Sequence, residues 1–373
     1  MVHRKKVVFF IYQMGSGGAA RTMLNILNNI DLEAFEPVLV TCNYNGDYEK
    51  YLNEEIKFIK LPTKRLRSAI LPLSKIIRDE KADIVFSTIP NYNIVAILAR
   101  LLSFTKAKNI VREAAFLGGS KKMEVKLKIY GLFYLFAKKV VALSNGVKEN
   151  IIEQYKVPSN KVCVIYNPVD IEGIELQTDI NLLSKEHQSI FLGENKVVST
   201  AGRFVDDKDH ITLIYAFQKL QEKVKANLVI LGEGELEEKL TSLVKQLKIE
   251  DKVYFIGFQE NPYVYFHHSD VFALTSKREG FGHVLTEALA TGVPVVSTRA
   301  KPGAEEVLDS GKYGLLIEVG DIDALTSNLE KVLQWDEHQK KEVKELGLKR
   351  VKEFQASKIV KQYEQLFKET IDD

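Results

Sequence analysis

The sequence predicts an α/β protein made of two doubly wound, Rossmann-like domains facing a cleft, and three observations predict it. Short apolar runs that end in turn residues alternate with amphipathic helical patterns, which is how βα units around a parallel sheet read. The alternation lapses into a polar, aperiodic stretch over 169–195 and then restarts. At 373 residues the chain is too long for one ordinary compact core and suits two domains of roughly 150–200 residues each. With 45% hydrophobic and 27% charged residues the composition is that of a globular protein, which excludes wholesale disorder.

The apolar runs at 7–13, 37–41, 56–61, 84–88, 109–111, 140–144 and 162–166 predict the strands of the first domain, with helical periodicity at 20–29, 71–79, 94–102 and 125–137. After Asn167-Pro168 the periodicity is lost, as expected of a linker. Strands then follow at 197–201, 227–231, 253–257, 271–275 and 293–297, with helices at 210–223, 235–247, 284–290 and 323–333. The expected organisation is a first domain over 1–168, a linker over 169–195 and a second domain over 196–352. A closing amphipathic helix within 353–373 is expected to pack back on the first domain. In doubly wound domains, ligands sit beyond the C-terminal ends of the strands.

Arg4, Lys5 and Lys6 ahead of an apolar run imitate a secretion signal. The run is too short and no small-residue cleavage site follows, so it reads as a buried first strand. Cys42 and Cys163 lie far apart, each inside an apolar run, which suits buried thiols in a reducing cytosol rather than a disulfide or a metal site. The net charge of +2 conceals an asymmetry: residues 1–166 carry 26 Lys and Arg against 14 Asp and Glu, and the remainder is acidic. A basic half joined to an acidic half suggests that the first alone meets a polyanion or an anionic membrane surface.

Four stretches could carry chemistry. Gly15-Ser16-Gly17-Gly18-Ala19-Ala20 matches the G-x-G-x-x-A dinucleotide fingerprint and follows the first strand. A dehydrogenase would place an acid at the end of the second strand for the ribose, whereas that strand ends in Thr41-Cys42-Asn43. Gly17 and Gly18 still let a ligand approach a helix N-terminus closely. Gly202, Arg203 and Lys208 follow the first strand of the second half, and two cations there could converge on a diphosphate. Glu233 and Glu235, near a helix start after Leu231, read as partners of the helix dipole. Finally, Glu279-Gly280-Phe281-Gly282-His283-Val284-Leu285 leads into a helical pattern carrying Glu287. A helix N-terminus in that turn would offer N–H groups and a positive dipole end to an anion, with one carboxylate on either side.

These segments together resemble the nucleotide-sugar domain of the GT-B retaining glycosyltransferases of family four, the glycosyl transferases group 1. The resemblance rests on Ala201-Gly202-Arg203 with Lys208, Gly232-Glu233-Gly234-Glu235, the Glu279 to Glu287 segment, Gly292-Val293-Pro294, and Gly314 with Gly320-Asp321. It is strong over 196–335 and thinner over 1–168, where Gly17-Gly18 and Asn167-Pro168 carry it. The resemblance implies a metal-independent transferase without a cofactor. Arg203, Lys208 and Glu279 would be its catalytic residues. The donor would be bound by Gly17, Gly18, Gly202, Gly280, Phe281, Gly282, His283, Val284, Leu285 and Glu287, with Glu279 facing the sugar and Glu287 the ribose. The family's catalytic-pocket histidine has no counterpart near 87–91 or 111–114, so Asn91, Arg112 and Glu113 are the expected acceptor-side residues.

The expected reaction moves a sugar from a nucleotide-sugar, a UDP-sugar by resemblance, to a lipid-linked saccharide or glycolipid of cell-surface polysaccharide, with no part for nucleic acid. Residues 121–139 are basic, aromatic and helical in period, as a helix lying on anionic lipid would be. A cytoplasmic protein, peripheral on the inner face of the membrane, is therefore expected. The rival readings are an NAD-type oxidoreductase, resting on the first glycine cluster, and a non-catalytic nucleotide- or sugar-binding protein. Asp321-Ile322-Asp323 spells a metal-binding triplet but stands where a helix N-cap belongs. His267 and His268 are adjacent, so on a helix they point apart.

Overall fold

The structure is a computed structural model in which residues 4–15 and 17–372 are described. The chain divides into two compact units, residues 1–168 with 356–373 and residues 169–355.

The first unit is built on seven strands: β1 (Lys5–Phe10), β2 (Phe35–Thr41), β3 (Lys57–Lys60), β4 (Ile84–Thr88), β5 (Lys108–Glu113), β6 (Lys139–Ala142) and β7 (Val162–Val164). They pair in parallel in the order β3-β2-β1-β4-β5-β6-β7. The second unit holds β8 (Lys196–Ala201), β9 (Ala226–Leu231), β10 (Val253–Gly257), β11 (Val271–Leu274), β12 (Val295–Thr298) and β13 (Leu315–Ile317), in the order β10-β9-β8-β11-β12-β13 and again parallel. Val7 to Phe10 and Val271 to Ala273 are wholly buried, because helices cover both faces of a parallel sheet. In each sheet the strand order reverses at the first strand, between β1 and β4 and between β8 and β11. Such switch points open a crevice at the strands' C-terminal ends.

Two boundaries differ from the sequence reading. The stretch 169–195 belongs to the second unit. It forms helices Ile171–Glu175 and Lys185–Phe191, which bury Ile174 and Ile190 and are capped by Asp170 and Ser184. Five and seven residues are too few for an apolar period to show. The closing helix runs Ala356–Asp372 and belongs to the first unit. Its Phe367 sits edge-on to Phe9, Phe35 and Phe86, and Lys108 Nζ donates to the Thr370 carbonyl at 2.9 Å. The periodicity also gives no sign of helix Glu337–Val351, which is too polar for an apolar stripe. Asp336 and Gln339 form a capping box at its start, a signal present in the sequence.

Candidate functional site

The switch point of the second sheet gathers the expected donor residues. Beyond β8 the chain runs through Gly202 and Arg203 into a short 3₁₀ turn, Asp206–Lys208, and enters helix His210–Leu220 through Asp209 at φ 48°. Beyond β11 it runs through Thr275, Ser276 and Lys277 to Glu279. The two loops are laced together. Lys277 N donates to the Asp207 carbonyl at 2.8 Å and Thr275 Oγ1 to the Lys208 carbonyl at 3.2 Å. Lys277 and Arg278 pair with Asp206 and Asp207 at 2.7 and 3.0 Å. At the centre Lys208 Nζ binds Glu279 Oε1, which also accepts from Ser276 Oγ at 2.7 Å. The Lys208 stem lies against Gly202, where a Cβ would stand 3.5 Å from it.

Arg203 is exposed and makes no ion pair among the described residues, so its charge is available to an anion at this edge. Gly282 at φ 88° turns the chain into helix His283–Thr291, whose first turn carries no acid, leaving a positive dipole end. Glu287 is the fifth residue of that helix, just over one turn in, and accepts from the Tyr263 hydroxyl at 3.4 Å. Gly303 seats the turn. Its N–H donates to the Glu279 carbonyl at 2.9 Å, and a Cβ there would stand 2.4 Å from Phe281 N.

The Phe281 ring is buried edge-on against Phe354, 5.2 Å between centroids, and Leu285 is wholly buried, so only their backbones could meet a ligand. His283 and Val284 are half-buried, as is Gly280. Ser276, Tyr263 and Gly303 escaped the sequence reading. A serine, a tyrosine and a glycine carry no motif until the fold brings them against the glutamates.

In the first unit Gly17 and Gly18 are exposed, with Gly17 capping helix Gly18–Asn29 in an extended conformation. A Cβ on Gly17 would meet nothing within 4 Å, so the space beside it is open. Asn91 is exposed, and its Oδ1 accepts from the Tyr130 hydroxyl at 2.7 Å. Arg112 and Glu113, expected on the acceptor side, lie instead in the interior, 1% and 0% exposed. They close β5, which is covered on both faces. Arg112 donates to Thr88 Oγ1 at 2.9 Å and to Asn167 Oδ1. The Asn93 amide donates to the Arg112 carbonyl at 3.0 Å and to the Tyr134 hydroxyl at 2.8 Å, and that hydroxyl donates to Glu113 Oε2 at 2.9 Å. Burial pushes the Glu113 carboxyl up from 4.5 to about 7, only partly opposed by the tyrosine hydroxyls and the Arg112 charge.

The remaining titratable motifs have structural partners. Asp321 accepts from Ala324 N at 2.9 Å as the N-cap of helix Ile322–Leu333, and Asp323 pairs with Lys219 at 2.7 Å. His267 and His268 bond to the Thr291 and Thr178 carbonyls at 3.0 and 2.9 Å.

Comparison with known proteins decides the family. The profile described as Glycosyl transferases group 1 matches residues 184–346, and the one described as Glycosyltransferase Family 4 matches residues 16–172. Over 375 aligned residues the chain is 31% identical to the N-acetylgalactosamine-N,N'-diacetylbacillosaminyl-diphospho-undecaprenol 4-alpha-N-acetylgalactosaminyltransferase of Campylobacter jejuni, covering 96% of this chain and 98% of that one. The chain belongs to the GT-B glycosyltransferases of group 1. This glycosyltransferase is also 27% identical, over 98% of both chains, to a second C. jejuni enzyme, the GalNAc-alpha-(1->4)-GalNAc-alpha-(1->3)-diNAcBac-PP-undecaprenol alpha-1,4-N-acetyl-D-galactosaminyltransferase. In fold it matches Anabaena HepE in complex with UDP-glucose, with a TM-score of 0.84 at 20% identity over 98% of this chain and 99% of that one. The family assignment replaces the oxidoreductase reading of the first glycine cluster.

Two predictions concern these residues. Gly303→Val in this glycosyltransferase should force the Glu279 turn off its seat, because a side chain there meets backbone rather than a movable group. A stability loss of about 1–3 kcal/mol is expected in urea titrations, with the chain still folded by circular dichroism without urea. Glu113 holds its proton longer in the folded than in the unfolded chain. The stability that Glu113 contributes should therefore be fully present below pH 4.5, fall as pH rises from 4.5 to about 7, and be lost above. The span is about 3 kcal/mol at most. Glu113→Gln should flatten that slope in urea titrations across pH.

Proposed function

We propose that this glycosyltransferase moves a sugar from a UDP-sugar to a polyprenyl-diphosphate-linked saccharide or related glycolipid in cell-surface polysaccharide assembly, with retention at the anomeric carbon. The observation that carries the donor half is the meeting of Lys208, Glu279 and Ser276 at the N-terminal end of helix His283–Thr291. A diphosphate beside Arg203 and Lys208 gains charge as the sugar leaves, and positioned cations stabilise that charge where it develops. Glu279 then accepts from sugar hydroxyls, and Glu287 from the ribose. The acceptor hydroxyl attacks on the face the phosphate leaves, and its proton ends on the departing phosphate oxygen, so no side-chain base is required. The acceptor class rests on the two Campylobacter relatives, whose names specify undecaprenol-diphosphate-linked saccharides.

The same reading has the protein work at the cytoplasmic face of the membrane. Among the described residues no helix is long and apolar enough to cross one. Helix Lys121–Tyr134 buries Leu127, Tyr130, Gly131 and Tyr134. Gly131 sits so close to the Tyr155 carbonyl that no Cβ would fit. The opposite side exposes Val125, Ile129 and Leu132, followed by Leu135 and Phe136, among exposed Lys121, Lys122, Lys126 and Lys128. Apolar side chains ringed by lysines suit insertion into an anionic headgroup layer.

Arg203→Ala and Lys208→Ala should each lower turnover by roughly a hundredfold or more. Glu287→Ala should chiefly weaken UDP binding, by about tenfold or more. Product NMR should show a retained anomeric configuration, and activity should survive EDTA. Full turnover in the Arg203 variant, or an inverted product, would refute the mechanism. In vesicle sedimentation the protein should bind anionic but not neutral vesicles, with binding reduced by salt. Equal binding to both would refute the membrane assignment.

A further inference from the structure

The C-terminal edge of the first unit's sheet carries a cluster of tyrosines that the donor chemistry does not use. Tyr12 follows β1, Tyr44 follows β2, and Tyr92 opens the helix after β4, Pro90–Ser103. Tyr12 and Tyr92 thus flank the β1/β4 switch point, where a doubly wound sheet leaves its crevice. Their rings stack at 5.7 Å between centroids and 27° between planes, and Tyr44 lies 5.0 Å from Tyr12. All three rings are half-buried. Lys64 Nζ stands 5.6 Å from the centre of the Tyr44 ring.

The cluster is held rigidly. The Tyr12 hydroxyl lies 2.7 Å from the Lys64 carbonyl and 2.9 Å from the Tyr44 hydroxyl. With one proton it donates to the carbonyl and accepts from Tyr44. Backbone bonds tie the three loops at their bases: Cys42 N to Tyr12 O at 3.0 Å, Asn43 N to Thr63 O at 2.9 Å and Tyr48 N to Met14 O at 2.9 Å. Ile89, just before Pro90, is held at φ 74°, a conformation a β-branched residue adopts only under constraint. That strained residue sets the direction of Asn91 and Tyr92. Among the described residues the Tyr92 hydroxyl has no hydrogen-bond partner, so a donor and acceptor stands ready beside two fixed rings.

We infer that Tyr12, Tyr44 and Tyr92 form a stacking platform for a sugar ring of the acceptor, with the Tyr92 hydroxyl and Asn91 as its polar contacts. The reading rests on the glycosyltransferase function proposed above and names the part of the first unit that takes the saccharide. A pyranose has an apolar face of C–H groups and a rim of hydroxyls. The C–H face complements the electron-rich face of an aromatic ring, and the rim needs a few fixed polar partners. A platform ordered before binding loses little freedom when the sugar arrives.

The test is saturation-transfer NMR on the full-length protein with methyl N-acetyl-α-galactosaminide as probe. Transfer to the C–H face of the ring is expected. Tyr44→Leu and Tyr92→Leu keep apolar bulk and should fold, yet they should lose about fivefold of the signal. Tyr44→Phe, which keeps the ring, should retain it. UDP binding, read by thermal shift, should be unchanged in all three. A saccharide signal unaffected by the leucine variants, or none in protein that binds UDP, would overturn the platform. Loss of the signal in the leucine variants, in protein that transfers nothing from any UDP-sugar, would instead overturn the proposed reaction and leave the platform standing. With a lipid-linked acceptor, KM for acceptor should rise in the leucine variants while KM for donor holds.

Discussion

The contact between the Lys208 ammonium and the Glu279 carboxylate organises the second unit's functional edge. Lys208 comes from the loop after β8 and Glu279 from the loop after β11, so the pair bridges the reversal in strand order that creates the crevice. Both side chains are largely shielded, 21% and 12% exposed, and removing either would leave a poorly solvated charge. Ser276 shares the carboxylate, and the ion pairs of Lys277 and Arg278 with Asp206 and Asp207 hold the rims of the same two loops. The ammonium is thereby fixed at the C-terminal edge of the sheet. Arg203 stands exposed outside this network.

Glycines recur in these turns for more than one reason. Gly282 is required by its positive φ. Gly303 is required by its neighbours, since backbone of the Glu279 turn occupies the place of any Cβ. Gly17 answers to neither constraint, because the space beside it is open.

The first unit separates structural from functional polarity. Arg112 and Glu113 are chemically suited to a site, yet β5 runs through the middle of a covered sheet, so both become interior groups that tie strands, helices and Asn167 together. The tyrosines at 12, 44 and 92 carry no motif and are scattered in sequence, yet they converge because the adjacent strands β2, β1 and β4 end at one edge. The reaction class was legible around Glu279 and Glu287 because the glutamates and glycines of the family motif sit at fixed offsets along one strand–turn–helix segment. Much of the rest of the site was not, because Ser276, Tyr263 and Gly303 act through space.

By itself the sequence determined the alternation of buried strands and amphipathic helices, the two-unit architecture, and the family whose motifs have local spacing. Periodicity and turn chemistry operate over a few residues, so they survive in the linear chain. Only the tertiary structure decided that 169–195 folds with the second unit and that Phe281 and Leu285 turn inward. It alone decided that Arg112 and Glu113 are core groups and that Gly303 seats the Glu279 turn. Each of these depends on which side chains meet across elements distant in sequence, and burial of that kind is a property of packing that no short stretch of chain records.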